Sequence, residues 1–495
     1  MLSDGLIMKD YYNEAGLQGI ALGNHEFDFG IEYLKNFIKK QKYPLIATNV
    51  KETSSGRYIS ETWENVIDHK IFEIPMDPTD KENVIRIGVI GLTTKSIQYN
   101  TGTDISSLTI TDYVEETKKW EAKLRNENKV HAVIVVAHFG PYCPNDGKDK
   151  YILTMRNSET TQNLCETDDD ISKYLKELKD NNININGVVA GHRHDVAHHW
   201  ISGYPVVESS GSDYFNILYL AFTYNKSKKE YNFDIKKTQI EGPVPICEKI
   251  WPNSKNCEYK YEDSSLMKKF KFHEKEVSLD SKMVQTLKYW EDIINTKLNN
   301  TLIETEDNMP NSFNKEETLL TNFVNDLGRI ITDSDICFYN PSGLRTNWYK
   351  GPINEIDVYK MFPFNNTWVR FEMTGEEVFH LVQDINQNSL YPFSGIIQTY
   401  SYKKSSYYIK SLLLYDGFEE RPMDMKKTYK ICTNDFLANG GSRMGTVRKL
   451  YKELRNKKDF GNVRDLVYKF LKEMKGKIRE DKFINKNYPK INIEN

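Results

Sequence analysis

The sequence lacks any apolar run approaching the ~18 residues that cross a bilayer as a helix, so no membrane-spanning helix is expected. It also lacks a dominant charge: 67 basic residues stand against 70 acidic ones, a formal net of −3. Such a balance offers no global field to nucleic acid or an anionic membrane, and neither is expected as a partner. Cysteine is scarce, with six in 495 residues and none in Cys-x-x-Cys spacing, which argues against a structural zinc site. Cys143 with Cys165, and Cys247 with Cys257, are close enough for local disulfides if the chain is secreted; free thiols are the alternative. Met1-Leu2-Ser3-Asp4 has neither the basic nor the apolar region of a signal peptide. The C-terminus is polar, with no lipid-anchor tail, and no internal repeat is visible.

What is present is a globular composition, 39% hydrophobic and rich in aromatics, in a chain long enough for two or three domains. Residues 84–92 and 130–137 are largely apolar, as strands covered on both faces are. Amphipathic helical spacing falls at residues 31–40, 111–126 and 171–178. This alternation predicts an α/β layered domain over residues 1–225. Residues 226–300 read as a connector with some β structure, ending in a helix at 281–298, with Val284, Leu287, Trp290, Ile294 and Leu298 on one stripe. A mixed α/β domain follows over 301–470, then a polar tail over 471–495.

Three apolar runs end in metal-ligand chemistry. Ile20-Ala21-Leu22 leads into Gly23-Asn24-His25-Glu26-Phe27-Asp28. The other two end at Ala137-His138-Phe139-Gly140 and Gly191-His192-Arg193-His194. Active sites of α/β folds form at such strand ends, and buried imidazoles need partners. Neutral imidazole nitrogens and amide oxygens suit zinc or manganese, and His192 and His194 at i, i+2 can face different ions. His198-His199 is a rival pair, but Ala197 and Trp200 beside it read as ordinary strand packing. A two-metal hydrolytic site also needs bridging and flanking carboxylates. No Asp-x-His follows an apolar strand before Asn24, and no Gly-Asp ends one, so the chemistry reads as half of a dinuclear site.

In the second domain, Asn340 and Arg345 flank a Pro341-Ser342-Gly343 turn. Met361-Phe362-Pro363-Phe364 places two exposed-looking aromatics in a loop, and Phe436 precedes Gly440-Gly441. Arginine for phosphate and aromatics for base stacking describe a nucleotide pocket; aromatics closing over a core are the other reading.

GNHEFD, AHFG, GHRH, NPSGLR, FPFNN and FLANGG, in that order, resemble the 5′-nucleotidase family over about residues 2–470. The resemblance implies a four-layer α/β/β/α calcineurin-like metallophosphatase domain, here without its first strand, then a mixed α/β domain that binds the nucleotide and swings to deliver it. It implies two divalent ions, zinc, manganese or similar, with this chain keeping ligands mainly for one. Asn24, His138 and His192 match ligands of one ion, and His194 matches a position contacting the other. His25 and Asp28 match the catalytic dyad. Asn340 and Arg345 match substrate-holding residues, Phe364 and Phe436 the base-sandwiching aromatics, and Gly440 and Gly441 their adjoining loop. A nucleotide substrate and a secreted, vacuolar or cell-surface location are implied as well.

Three departures from the family pattern stand out. The Asp-x-His and Gly-Asp motifs would fall before residue 1, so the chain is expected to be N-terminally truncated and much reduced in activity. Ser442 stands where an Asp usually binds the ribose hydroxyls. Pro341-Ser342 stands where glycines are usual. Two alternatives accompany metal-dependent 5′-nucleotide hydrolysis: a 2′,3′-cyclic nucleotide phosphodiesterase or nucleotide-sugar pyrophosphatase, and a non-catalytic nucleotide-binding paralogue.

Overall fold

Runs of Val, Ile and Ala without polar alternation make strands buried on both faces, and the first half of the chain is built on them. The computed structural model describes residues 5–77, 79–99, 103–143, 153–156, 165–194, 197–209, 214–252, 264–311, 317–387, 390–403, 406–417, 419–441, 454–484 and 489–494. The chain divides into two units, one of residues 1–98 and 103–289, the other of 99–102 and 290–495.

The first unit holds a six-stranded sheet in the order Ala197–Ile201, Tyr204–Glu208, Gly187–Ala190, Ala132–Ala137, Asp80–Leu92, His69–Asp77. The four inner strands are parallel and the outer two antiparallel. Their register sets Leu92, Ala137, Ala190 and Glu208 on one row, so four chain segments leave the sheet at one edge.

Helices Tyr113–Asn126 and Asp170–Asp180 cover one face. Asp112 caps the first by accepting the Val114 amide at 2.9 Å, and Asp169 caps the second by accepting that of Ser172 at 2.8 Å. Trp120, Leu124, Leu175 and Leu178 pack on Val133, Val135 and Val188 beneath. On the opposite face Val89 and Ile134 meet Ile46, from a parallel trio of short strands, Ile20–Ala21, Leu45–Ile46 and Val66–Ile67. Alternation then turns Leu45 the other way, onto Leu34 and Ile38 of helix Ile31–Ile38. Helices, sheet, second strand layer and helix make the expected four layers.

Two boundaries differ from the sequence reading. The β structure expected in the connector includes Gln239–Pro245, which belongs to the first domain's structure: it pairs with Tyr214–Tyr219 and Leu153–Arg156. Its Gly-Pro-Val-Pro composition disguises a strand buried continuously from Ile240 to Pro245. Residues 471–495 are no polar tail either. Ile491–Glu494 runs parallel to Ile396–Lys403, and Ile478 is fully buried, because isolated apolar residues among the lysines find partners far away in sequence. The helix at Ser281–Leu298 forms, but of its apolar stripe only Leu298 is buried, with Val284 and Leu287 42% and 44% exposed.

The second unit has two four-stranded sheets. One runs Ile336–Cys337, Thr428–Asn434, Thr367–Thr374, Arg455–Asn462; the other Glu420–Pro422, Ser406–Tyr415, Ile396–Lys403, Ile491–Glu494. Helices Leu319–Thr332 and Gly375–Asn386 start with capping boxes on Thr318 and Thr374. Cys143 is disulfide-bonded to Cys165, as expected, and Cys247 is in a disulfide too; Cys257 lies outside the described residues. Cys337 and Cys432, which the sequence reading leaves unpaired, face each other on adjacent parallel strands and form a further disulfide.

Candidate functional site

The first cluster sits at the edge where the inner strands end. Gly23 must be glycine: a Cβ there would lie 2.6 Å from Glu26 Oε2 and 2.7 Å from His138 Cε1. The Gly23 amide donates to Glu26 Oε2 at 2.8 Å, and burial raises the Glu26 pKa. This anchored turn delivers Asn24, which is buried, and His25. The His25 imidazole donates from Nδ1 to Asp28 Oδ2 at 2.8 Å, so the carboxylate fixes the ring.

His138 is the centre. Its Nε2 lies 2.7 Å from Asn24 Oδ1 and 3.2 Å from His192 Nδ1, and the two rings are 4.9 Å apart. An amide oxygen from the first strand end thus meets imidazoles from two others. Burial, reinforced by the His192, His25 and His194 charges, lowers the His138 pKa to about 3. Burial, then Arg193, His25 and His194, lowers that of His192 to about 4. Both rings are therefore neutral at neutral pH, the form that ligates metal. One amide oxygen and two neutral imidazoles within hydrogen-bond distance fit a single zinc- or manganese-like ion.

His192 and His194 occupy the left-handed region, with φ of 89° and 59°. His194 is exposed and acts electrostatically on both half-buried rings. His198 and His199 lie buried in the antiparallel edge strand with their rings 5.3 Å apart.

A residue that sequence reading misses is Glu208. It ends the strand after Val206-Val207 and is only 1% exposed. The available signal was a carboxylate closing an apolar run, which costs free energy to bury unless hydrogen-bonded.

The second cluster lies in the C-terminal unit. Asn340 is buried. It donates from Nδ2 to Ser342 Oγ at 3.1 Å and accepts at Oδ1 from Asn434 Nδ2 at 2.8 Å. Asn434 Oδ1 in turn accepts the Leu437 amide at 2.8 Å, capping the turn that carries Phe436. Arg345 donates from Nη1 to the Ser342 carbonyl at 3.3 Å, and its guanidinium lies 5.7 Å from the Phe364 ring centre. Burial lowers its pKa. Gly440 has φ of 98°, and a Cβ on Gly441 would sit 2.6 Å from the Phe436 ring, so both positions require glycine. Ser342 thereby links Asn340 to Arg345, and Asn434 links Asn340 to the Phe436 turn.

Phe364 and Phe436 are half-buried. Phe362, expected to be exposed, is 1% exposed and part of the core; the short loop turns only one of its two phenylalanines outward. Ser442 lies outside the described residues.

Comparison with known proteins places these clusters in context. The sequence model of the family described as "5'-nucleotidase, C-terminal domain" matches residues 297–449. The chain is 23% identical to the 5'-nucleotidase of Vibrio vulnificus, over 87% of this chain and 72% of that protein. It is also 23% identical to Protein UshA of Escherichia coli, over 91% and 75%. Among solved structures, the 5'-nucleotidase precursor from Thermus thermophilus superposes with a TM-score of 0.62 at 17% identity, covering 99% of this chain and 86% of that one.

Proposed function

We propose, from its likeness to 5′-nucleotidases in the C-terminal domain and along most of the chain, that this chain is a member of the 5′-nucleotidase family and a metal-dependent hydrolase of 5′-nucleotide phosphate esters. The observation that carries this reading is the meeting of Asn24, His138 and His192 around one imidazole nitrogen. These three residues would hold the ion. A divalent cation bound there would supply Lewis-acid stabilisation of phosphoryl oxygens and a water nucleophilic at neutral pH. His25, oriented by Asp28, donates to charge developing on the phosphoryl group. His194 is assigned to a second ion.

The nucleotide is read in the second unit. Arg345 supplies a charged donor, Asn340 an amide fixed by Asn434, and Phe364 and Phe436 faces on which a base stacks, with Gly440-Gly441 giving the loop its shape. All described cysteines are in disulfides, which supports an exported protein in an oxidising compartment.

Arg345→Ala tests the recognition half. Loss of a charged hydrogen-bond donor costs about 1.5–3 kcal/mol, so AMP affinity by calorimetry should fall by about ten- to a hundredfold. Unchanged affinity removes Arg345 from the substrate site. Titrating AMP, 2′,3′-cyclic AMP and UDP-glucose in parallel separates the mononucleotidase from the diesterase and pyrophosphatase alternatives. A chain that binds nucleotide and ion yet turns over none of the three is the non-catalytic paralogue.

A further inference from the structure

One buried carboxylate at the edge of the histidine cluster has no part in the chemistry described so far. Glu208 ends its strand on the same row as Ala137 and Ala190, the residues that lead into the His138 and His192 loops. Its Oε1 accepts the backbone amide of Arg193 at 2.9 Å. Arg193 lies between His192 and His194, which both hold positive φ, a conformation costing about 1–3 kcal/mol for each non-glycine residue. A carboxylate–amide hydrogen bond is of the strong, charge-assisted kind and offsets part of that strain at the residue between them.

The same carboxylate meets the other loop. A Cβ on Gly140, two residues after His138, would collide with Glu208 Oε2, lie 2.6 Å from its Cδ and 2.9 Å from the Gly191 carbonyl oxygen. The His138 loop therefore passes against Glu208 with no space to spare. The carboxylate's own backbone is pinned as well: Asn216 Nδ2 donates to the carbonyl oxygens of Glu208 and, at 3.1 Å, Ala197.

We infer that Glu208 is a positioning residue that holds the His138 and His192 loops at the separation at which both imidazoles can share one ion. It acts through those loops and is assigned no ligand role. The inference rests on the metal-site reading above only for its metal arm; the geometry it claims exists without metal.

The test has two arms on the full chain. Hydrogen–deuterium exchange over residues 187–194, without metal, reads the Arg193 loop directly. Glu208→Ala should speed exchange there by about tenfold or more, as local opening becomes easier. Glu208→Gln keeps an acceptor oxygen and should restore protection. Calorimetric titration with Mn²⁺ reads the consequence. Loss of such outer partners typically costs about 10- to 100-fold in metal affinity, so Glu208→Ala should weaken binding by that factor and Glu208→Gln far less.

Gly140→Ala provides a variant that leaves the carboxylate in place but drives a methyl into it. It should loosen the same loop and weaken Mn²⁺ alike. If Glu208→Ala lowers thermal stability while leaving loop exchange as in the parent, Glu208 is merely structural and the inference fails. If loop exchange changes but the parent binds no Mn²⁺, the metal-site reading fails while the positioning of the loop by Glu208 stands.

Discussion

Replacing His138 by alanine should reduce Mn²⁺ affinity by at least about a hundredfold, more than loss of an outer partner does. The reason is geometric. His138 Nε2 is the atom to which both Asn24 Oδ1 and His192 Nδ1 converge, so its loss removes one ligand and the reference point of the other two. Calorimetry on chelator-stripped protein measures it, with the chain's fold checked by circular dichroism. A second readout comes from acid. Unfolded, these imidazoles take up protons below about pH 6.5, whereas in the native chain His138 stays neutral to about 3 and His192 to about 4. The unfolded state binds more protons throughout that window, so native stability declines as pH falls through it. His138→Ala should flatten this decline between pH 6.5 and 4.5. Equal acid sensitivity in parent and variant would mean that His138 is solvated.

The Cys337→Ala/Cys432→Ala variant should lose about 4–5 kcal/mol of stability, the loop-entropy value for a closure near a hundred residues; the two cysteines are 95 apart in sequence. Both are fully buried in the second unit's core. The bond ties Ile336–Cys337 to Thr428–Asn434, the strands that lead to Asn340 and to the Asn434-capped Phe436 turn. A lower denaturant midpoint should therefore be joined by weaker AMP binding, and reduction of the parent should reproduce both. A midpoint that stays in place would show that strand pairing alone sets this unit's stability.

What could be read in sequence was whatever chemistry lay next to its own structural cue. Asn24, His138 and His192 each follow an apolar run within a few residues, so both the strand and the polar group at its end were legible. The layered fold followed from the same runs. What stayed hidden depends on distant pairing. Glu208 acquires meaning only when its strand lies beside that of Ala190, and Cys337 only when it lies beside Cys432. Ile240, Val244 and Ile491 sit in Pro-rich or Lys/Asn-rich stretches whose local composition argues against strands, yet each pairs into a sheet. Phe362 and Phe364 show the finer limit. One composition cue announces both, and only the fold assigns one to the core and one to the surface.

Release of inorganic phosphate from AMP by the chelator-stripped chain, before and after addition of Mn²⁺, bears most directly on metal-dependent hydrolysis at the Asn24–His138–His192 centre. Release that appears on adding the ion and stays at background in His138→Ala is expected. Release of equal size without the ion, or undiminished in His138→Ala, would mean that hydrolysis does not proceed through this centre.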